Sequence, residues 1–165
     1  MAFTQLQWLS DELLTVDGTN FRMSMTDFSL RTDEERVVLL KDRRMVDGYC
    51  DLFQNREIQN IVEFGIFEGG SPILFAAATS ARKIISFDIR DRVTAVEAHA
   101  RKFGDRVKLV YNTSQVDRAE IYRVVDEELG EQPIDLVIDD ASHDYNLTKN
   151  ASRSSFRAWQ LGGFT

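Results

Sequence analysis

The sequence has few of the residues that mark several common protein classes. Cys50 is the only cysteine among 165 residues, which excludes an internal disulfide and a cysteine-based zinc cluster. Two prolines and nine glycines leave no room for a disordered linker. Acids outnumber bases by 27 to 20, so the net charge is −7. We therefore expect no nucleic-acid or membrane partner, because both require a basic face.

Long apolar runs are also missing. No stretch of the sequence approaches the roughly 20 consecutive apolar residues of a membrane span, and the N-terminus lacks the basic segment and apolar run of a signal peptide. We expect a soluble cytoplasmic protein. Apolar residues make up 43% of the chain, which is enough to form the core of one domain.

A glycine-rich turn lies between an apolar strand and an apolar helix. Residues 63–71 read Glu-Phe-Gly-Ile-Phe-Glu-Gly-Gly-Ser. A dinucleotide-binding G-x-G-x-x-G would need glycine where Phe67 stands, and a P-loop would need lysine after Gly70, where Ser71 and Pro72 follow. The remaining pattern suits a ligand with a ribose and an amino-acid tail but no phosphate. S-adenosylmethionine has that description.

An acid ends the next apolar run. Asp88 follows Lys-Ile-Ile-Ser-Phe and lies nineteen residues after Gly69. A carboxylate at that place can accept hydrogen bonds from both ribose hydroxyls. The alternatives are an ordinary tight turn for the glycines and an ordinary helix cap for Asp88. Taken together, the loop and the acid favour a cofactor site.

Apolar patterning beyond residue 57 predicts strands near 58–64, 83–88, 106–111 and 134–139. It predicts helices near 71–81, 92–103, 115–129 and 145–160. This alternation indicates parallel βαβ units, so the predicted fold class is α/β with helices on both faces of one sheet. Another helix is predicted from Asp33 to about Asn55. Residues 1–32 are expected to form an irregular arm or cap, and residues 33–165 the main domain.

The last residues, 161–165, look like a glycine turn that leads into a fifth strand. A sheet of four strands would leave the fourth strand as an unprotected edge. We expect either that the sequence is a fragment, or that this edge is covered by the N-terminal arm or by another subunit of a homo-oligomer.

Acids and a histidine follow the fourth predicted strand. Residues 139–144 read Asp-Asp-Ala-Ser-His-Asp, at the sheet edge that also carries the glycine loop and Asp88. Carboxylates beside a histidine can hold a divalent metal, or can set the tautomer of a histidine that acts as general base. We favour such roles for Asp140 and His143, because two adjacent acids are costly to pack without a ligand. Ser142 and Asp144 are interpreted as turn or helix-cap residues.

Three stretches carry a resemblance to a known family: Val-Glu-Phe-Gly-Ile-Phe-Glu-Gly-Gly-Ser, Phe-Asp-Ile-Arg and Ile-Asp-Asp-Ala-Ser-His. They resemble class I S-adenosylmethionine-dependent methyltransferases, in the branch that contains macrocin-type sugar O-methyltransferases and cephalosporin hydroxylase-like proteins. The resemblance extends from about residue 45 to the end of the chain. It implies a Rossmann-like methyltransferase fold whose later strands are missing here.

The resemblance also implies roles for individual residues. Residues expected to contact the cofactor are Glu63, Gly65, Phe67, Gly69 and Ser71 in the loop, Asp88 at the ribose, Thr113 and Ser114 at the adenine, and Asp139 near the sulfonium. In metal-dependent members of the branch the second acid of the last motif binds magnesium and its histidine is the base. These roles point to Asp140 and His143. Thr113 departs from the pattern, since relatives often have aspartate there, and the further metal acids of relatives follow a fifth strand.

The expected function is S-adenosylmethionine-dependent O-methylation of a small hydroxylated molecule, such as a sugar or natural product. His143 would remove the acceptor proton, and magnesium at Asp140 would position the acceptor. Two alternatives stay open. One is a metal-dependent hydroxylase or hydrolase that uses the acidic histidine cluster, and the other is a non-catalytic fragment or binding module.

Overall fold

A computed structural model describes residues 4–141, which form two sheets. The N-terminal sheet contains β1 (Gln7–Trp8), β2 (Leu13–Val16), β3 (Thr19–Met23) and β4 (Arg36–Leu39). Strands β1, β2 and β3 pair in antiparallel fashion, and β4 adds parallel to β3. Asp17 and Gly18 both have positive φ and form the two-residue turn between β2 and β3, as expected for an Asp-Gly hairpin. Residues 1–32 were expected to form an irregular arm or cap, and only the expected irregularity is wrong, because strands β1, β2 and β3 lie in this segment.

The helix predicted from Asp33 is also wrong over its first ten residues. Asp33 accepts hydrogen bonds from the backbone N–H groups of Glu35 and Arg36 in a turn, and β4 follows directly. Its residues 37–39 are buried and pair with β3, an environment that suits β-branched side chains. The first helix, α1 (Arg43–Asn55), begins only after Asp42, which caps it.

The second sheet carries the predicted alternation. Its strands are β5 (Asn60–Phe64), β6 (Lys83–Phe87), β7 (Val107–Val110) and β8 (Leu136–Asp139), all parallel, in the order β7-β6-β5-β8. The connections contain α2 (Gly70–Ala78), α3 (Thr94–Ala100) with a 3-10 turn over Arg101–Arg106, and α4 (Arg118–Leu129). This Rossmann-like order confirms the predicted α/β class. The helix predicted at 145–160 lies outside the described residues.

Helices cover both faces of the parallel sheet. Val62 and Ile85 pack with Ile121 of α4 on one face, whereas Ile61 packs with Phe75 of α2 on the other. Every residue of α2 is buried, because the helix lies between the parallel sheet and the N-terminal sheet and therefore has no polar face.

The strand order determines where a ligand can bind. After β5 the chain adds β6 and β7 on one side and returns to add β8 on the other, and ligands of open parallel sheets bind beyond the carboxyl ends of strands at such a switch point. Within residues 4–141, β8 pairs with β5 alone. The described part of the N-terminal segment therefore does not pair with the free edge of β8. None of the described helices is long and apolar enough to cross a membrane.

Candidate cofactor-binding site

Close packing explains two glycines of the loop between β5 and α2. Gly65 has φ of 105°, and a Cβ there would lie 2.8 Å from the Asp140 carbonyl oxygen. Gly69 has φ of 79° and precedes α2, and a Cβ there would overlap the Val96 side chain. A side chain at either position would therefore be strained and would also collide with a neighbouring segment.

Asp88 holds the loop in place. Its Oδ2 atom accepts hydrogen bonds from the backbone N–H groups of Ile66 and Phe67, both at 2.8 Å. Its Oδ1 atom accepts from the backbone N–H of Arg90 at 2.9 Å. Phe67 has a positive φ of 48°, an uncommon conformation for a bulky residue. The carboxylate that was predicted to bind ribose therefore also orders the glycine loop.

A cavity of about 510 Å³ opens beyond the carboxyl ends of β5, β6 and β8, within the size range of small-molecule sites. Of the residues predicted to contact the cofactor or metal, Gly65, Phe67, Ser71, Asp88, Thr113, Ser114 and Asp140 line it. Glu63, Gly69 and Asp139 are not on its wall. His143 lies outside the described residues. The glycine loop and Asp88 thus face one common space.

Glu63 is buried next to this cavity, on the sheet face that α1 and α2 cover. Its Oε2 atom accepts a hydrogen bond from the Ser86 hydroxyl at 2.9 Å, whereas Oε1 has no partner among the described residues. Burial raises the pKa of the Glu63 carboxyl to about 7, although Ser86 and Lys41 lower it. The side chain can therefore hold a proton near neutral pH.

Lys41 is a site residue that the sequence did not reveal. Its Nζ atom lies 2.6 Å from Asp140 Oδ2 and 5.6 Å from the centre of the Tyr49 ring, and its side chain is 1% exposed. Burial by itself would lower the pKa of this ammonium group, but Tyr49 and Asp140 outweigh burial and raise it. Lys41 therefore stays charged and neutralises Asp140.

Magnesium does not fit the residues that the structure describes. No group of three or more metal-ligating side chains occurs within residues 4–141, and the carboxylate of Asp140 is bonded to Lys41. Asp139 accepts a bond from the backbone N–H of Ala141 at 3.3 Å, and its Oδ2 atom is buried without a partner in this part of the chain. The assignment of magnesium to Asp140 and of base to His143 stays a prediction.

Glu68 connects the N-terminal sheet to the loop. Its buried carboxylate accepts the Thr32 backbone N–H at 2.9 Å through Oε2. Its Oε1 atom lies 3.7 Å from Arg31 Nε and 3.5 Å from Arg90 Nη2. The Thr32 hydroxyl donates to the Glu68 carbonyl at 2.6 Å. These bonds hold the segment after β3 against the wall of the cavity.

The cavity wall beside Asp88 offers apolar surface. Ile89 is 71% exposed and Phe28 is 63% exposed, and both lie on the wall. The backbone N–H of Thr113 donates to the Asp88 carbonyl at 2.9 Å, which places β7 and its following loop next to Asp88. A flat aromatic base between such side chains would bury apolar surface that is otherwise exposed to water.

The fold is Rossmann-like, and the cavity lies at the switch point of its parallel sheet. Residues 62–164, more than half of the chain, match the profile of a family described as a methyltransferase domain. The chain belongs to this methyltransferase-domain family, which confirms the resemblance to class I S-adenosylmethionine-dependent methyltransferases.

Two solved structures similar to the chain are of the MycE methyltransferase from the mycinamycin biosynthetic pathway. One is in complex with Mg and SAH, and the other with Mg, SAH and mycinamycin VI. Both are 22% identical over 73% of this chain, with TM-scores of 0.46 and 0.45. The chain spans 28% and 29% of their lengths. No curated protein matches the sequence significantly.

Proposed function

We propose that this protein is an S-adenosylmethionine-dependent methyltransferase that acts on a hydroxyl group of a small molecule, such as a sugar or natural product. The observation that carries the proposal is the cavity that the glycine loop and Asp88 share at the carboxyl edge of the sheet, in a chain that belongs to a methyltransferase-domain family. When bound, S-adenosylmethionine would supply an electrophilic methyl group.

The side chains around the cavity fit a ligand of this chemistry. Ile89 and Phe28 offer exposed apolar surface for a base, and Asp88 has acceptor capacity beyond the three N–H groups that it already binds. The Lys41–Asp140 pair also lies on the wall. An ammonium and a carboxylate side by side complement a zwitterionic amino-acid tail.

Apart from His143, the residues of this chain would then bind and orient the reactants. Holding the acceptor oxygen in line with the methyl group converts a bimolecular step into an effectively unimolecular one. His143 is proposed to take the hydroxyl proton, as a histidine near neutral pH can do. We include no metal-dependent step, because the described acids do not form a metal site.

Isothermal titration of the 165-residue chain with S-adenosylmethionine and S-adenosylhomocysteine tests the proposal. We expect both to bind, and we expect S-adenosylhomocysteine to raise the melting temperature, since only the folded state has the cavity. Absence of binding at millimolar ligand would contradict the proposal. Metal-dependent turnover without the sulfonium cofactor would favour a hydroxylase or hydrolase instead.

The exposed acid three residues after Asp88 provides a matched control. Asp88→Asn weakens the acceptor that faces the cavity, whereas Asp91→Asn changes an exposed carboxylate that is not on the cavity wall. We expect Asp88→Asn to lose binding by at least about tenfold, the factor for one charge-assisted hydrogen bond. Asp91→Asn is expected to bind as the wild type does.

A further inference from the structure

The side chain of Arg90 has one buried nitrogen without a hydrogen-bond partner in the part of the chain that the structure describes. Arg90 lies on the wall of the cavity, and its Nη1 atom is buried without a hydrogen-bond partner among the described residues. A buried N–H group without an acceptor costs about 1–3 kcal/mol, and native proteins pair the great majority of such groups. A ligand acceptor in the cavity would remove this cost.

Other contacts hold Arg90 at a definite place. Its backbone N–H donates to Asp88, and its backbone carbonyl accepts from the Asn112 N–H at 3.1 Å. Its guanidinium group lies 4.7 Å from the centre of the Phe67 ring, and Nη2 lies 3.5 Å from the buried Glu68 carboxylate. Of the two terminal nitrogens, Nη2 faces the Glu68 carboxylate, whereas Nη1 has no partner within residues 4–141.

The neighbouring Asp88 indicates what the acceptor is. Its carboxylate can only accept hydrogen bonds when it is ionised, and it already accepts from three backbone N–H groups. A ribose diol carries two hydroxyls, each of which both donates and accepts. Asp88 and Arg90 lie two residues apart on one cavity wall. There the carboxylate can accept a hydrogen bond from a ribose hydroxyl, and the guanidinium can donate one.

We propose that Arg90 is a further cofactor-binding residue, whose Nη1 donates a hydrogen bond to a ribose hydroxyl oxygen of an adenosine ligand seated beside Asp88. The proposal rests on the proposed function, because it requires that an adenosine ligand occupy this cavity. It assigns to Arg90 a direct contact with the ligand in addition to its support of the loop through Phe67 and Glu68.

Binding measurements on pairs of variants and ligands separate direct contact from loop support. Arg90→Met keeps an apolar stem over Phe67 but has no donor, and Arg90→Lys keeps a positive charge near Glu68 without the planar guanidinium. Arg92→Met is the control, since Arg92 is 70% exposed, pairs with Glu97 and is not on the cavity wall. The ligands are S-adenosylhomocysteine and its 2′-deoxy and 3′-deoxy analogues.

We expect Arg90→Met and Arg90→Lys each to weaken S-adenosylhomocysteine binding about tenfold, as one hydrogen bond would. The wild type is expected to bind one deoxy analogue more weakly than S-adenosylhomocysteine by a similar factor. For the variants, we expect the difference in affinity between these two ligands to be clearly smaller. This non-additivity is the sign of a direct contact.

Two outcomes would overturn the role of Arg90 while leaving the methyltransferase proposal intact. One is unchanged binding in both variants. The other is that the Arg90 variants lose affinity by the same factor for S-adenosylhomocysteine and for both deoxy analogues. That result would indicate that Arg90 only supports the loop. If the wild type fails to bind S-adenosylhomocysteine, the proposed function is overturned and this inference falls with it. Arg90→Lys gives the answer even if Arg90→Met does not fold.

Discussion

Two fully buried glutamates, Glu63 and Glu68, bracket the glycine loop and are held in different ways. Glu63 lies in β5, where the Ser86 hydroxyl donates to its Oε2 atom and Oε1 has no hydrogen-bond partner in the described part of the chain. Glu68 lies at the end of the loop, where it accepts a backbone N–H and is placed between Arg31 and Arg90. Burial is equal at the two sites, so partners rather than burial decide what each carboxylate does.

The difference gives the two carboxylates separate roles. Glu63 can be protonated near neutral pH, because burial raises the pKa of its carboxyl to about 7. Glu68 acts as a charged connector between the N-terminal sheet and the cavity wall, since it receives bonds from residues that precede β4. Three substitutions test this distinction.

The largest effect is expected from Gly65→Ala, which disturbs the loop that separates the two carboxylates. Alanine there would need a positive φ and would meet the Asp140 carbonyl at 2.8 Å. We expect a loss of about 4 kcal/mol in the free energy of unfolding, the sum of backbone strain and overpacking. Urea denaturation measures it.

Gly18→Ala is the matched control for that substitution. Gly18 also has a positive φ, of 71°, but no atom lies within 4 Å of a Cβ built there. Its cost is therefore backbone strain alone, about 1 kcal/mol. Equal losses in the two variants would show that the contact with the Asp140 backbone does not matter.

A pH-dependent effect is expected at Glu63. Its pKa is about 7 in the folded state and 4.5 in the ordinary reference state, so the folded protein holds a proton that the unfolded chain releases between these values. Stability from this group is present below the lower value and is lost as pH rises through the higher one. Across this window the loss is on the order of 3 kcal/mol.

Glu63→Gln should remove this pH dependence of the unfolding free energy, because an amide does not titrate. The comparison is between the unfolding free energies of wild type and variant at about pH 4 and about pH 8, values that lie on either side of the window. We expect the wild type to lose stability relative to the variant as pH rises. Parallel profiles would show that Glu63 keeps an ordinary pKa.

The smallest of the three effects is expected from Glu68→Gln at neutral pH. The amide oxygen can still accept the Thr32 N–H, but the charge that faces Arg31 and Arg90 is lost. Because both arginines are partly exposed, we expect a loss of roughly 2 kcal/mol rather than the full cost of breaking a buried pair.

Glu120→Gln is the control for Glu68. Glu120 pairs with Arg123 on the exposed face of α4, and exposed pairs contribute little. We expect no measurable change in its unfolding free energy. If Glu68→Gln behaves in the same way, Glu68 is not the connector that its contacts indicate.

Most of the parallel sheet could be predicted from sequence. Its strands and helices follow from short apolar runs and helical spacing, which are local signals. β4 was missed because its partner strand is distant in sequence: Val37 pairs with Phe21, and no local pattern records that pairing. The sequence predicted a helix from Asp33 to about Asn55 instead, which is longer than α1.

Only part of the candidate site could be predicted from sequence, because only its local motifs are visible there. The glycine loop and Asp88 form a local motif, and the structure places both at one cavity. Lys41 was missed because its partner Asp140 is 99 residues away, and Glu68 was missed because Thr32 is 36 residues away. Asp88 was predicted to face ribose, but its bonds to the loop N–H groups depend on the fold.

The sequence by itself determined the alternation of strands and helices, the glycine turn and the acids at strand ends, because each depends on residues close together in the chain. Only the tertiary structure decided the N-terminal sheet, the pairing of Lys41 with Asp140 and the burial of Arg90 Nη1, which has no partner within residues 4–141. Those features arise where distant segments meet in a buried environment, and there an unpaired charge or donor is costly enough to select one arrangement.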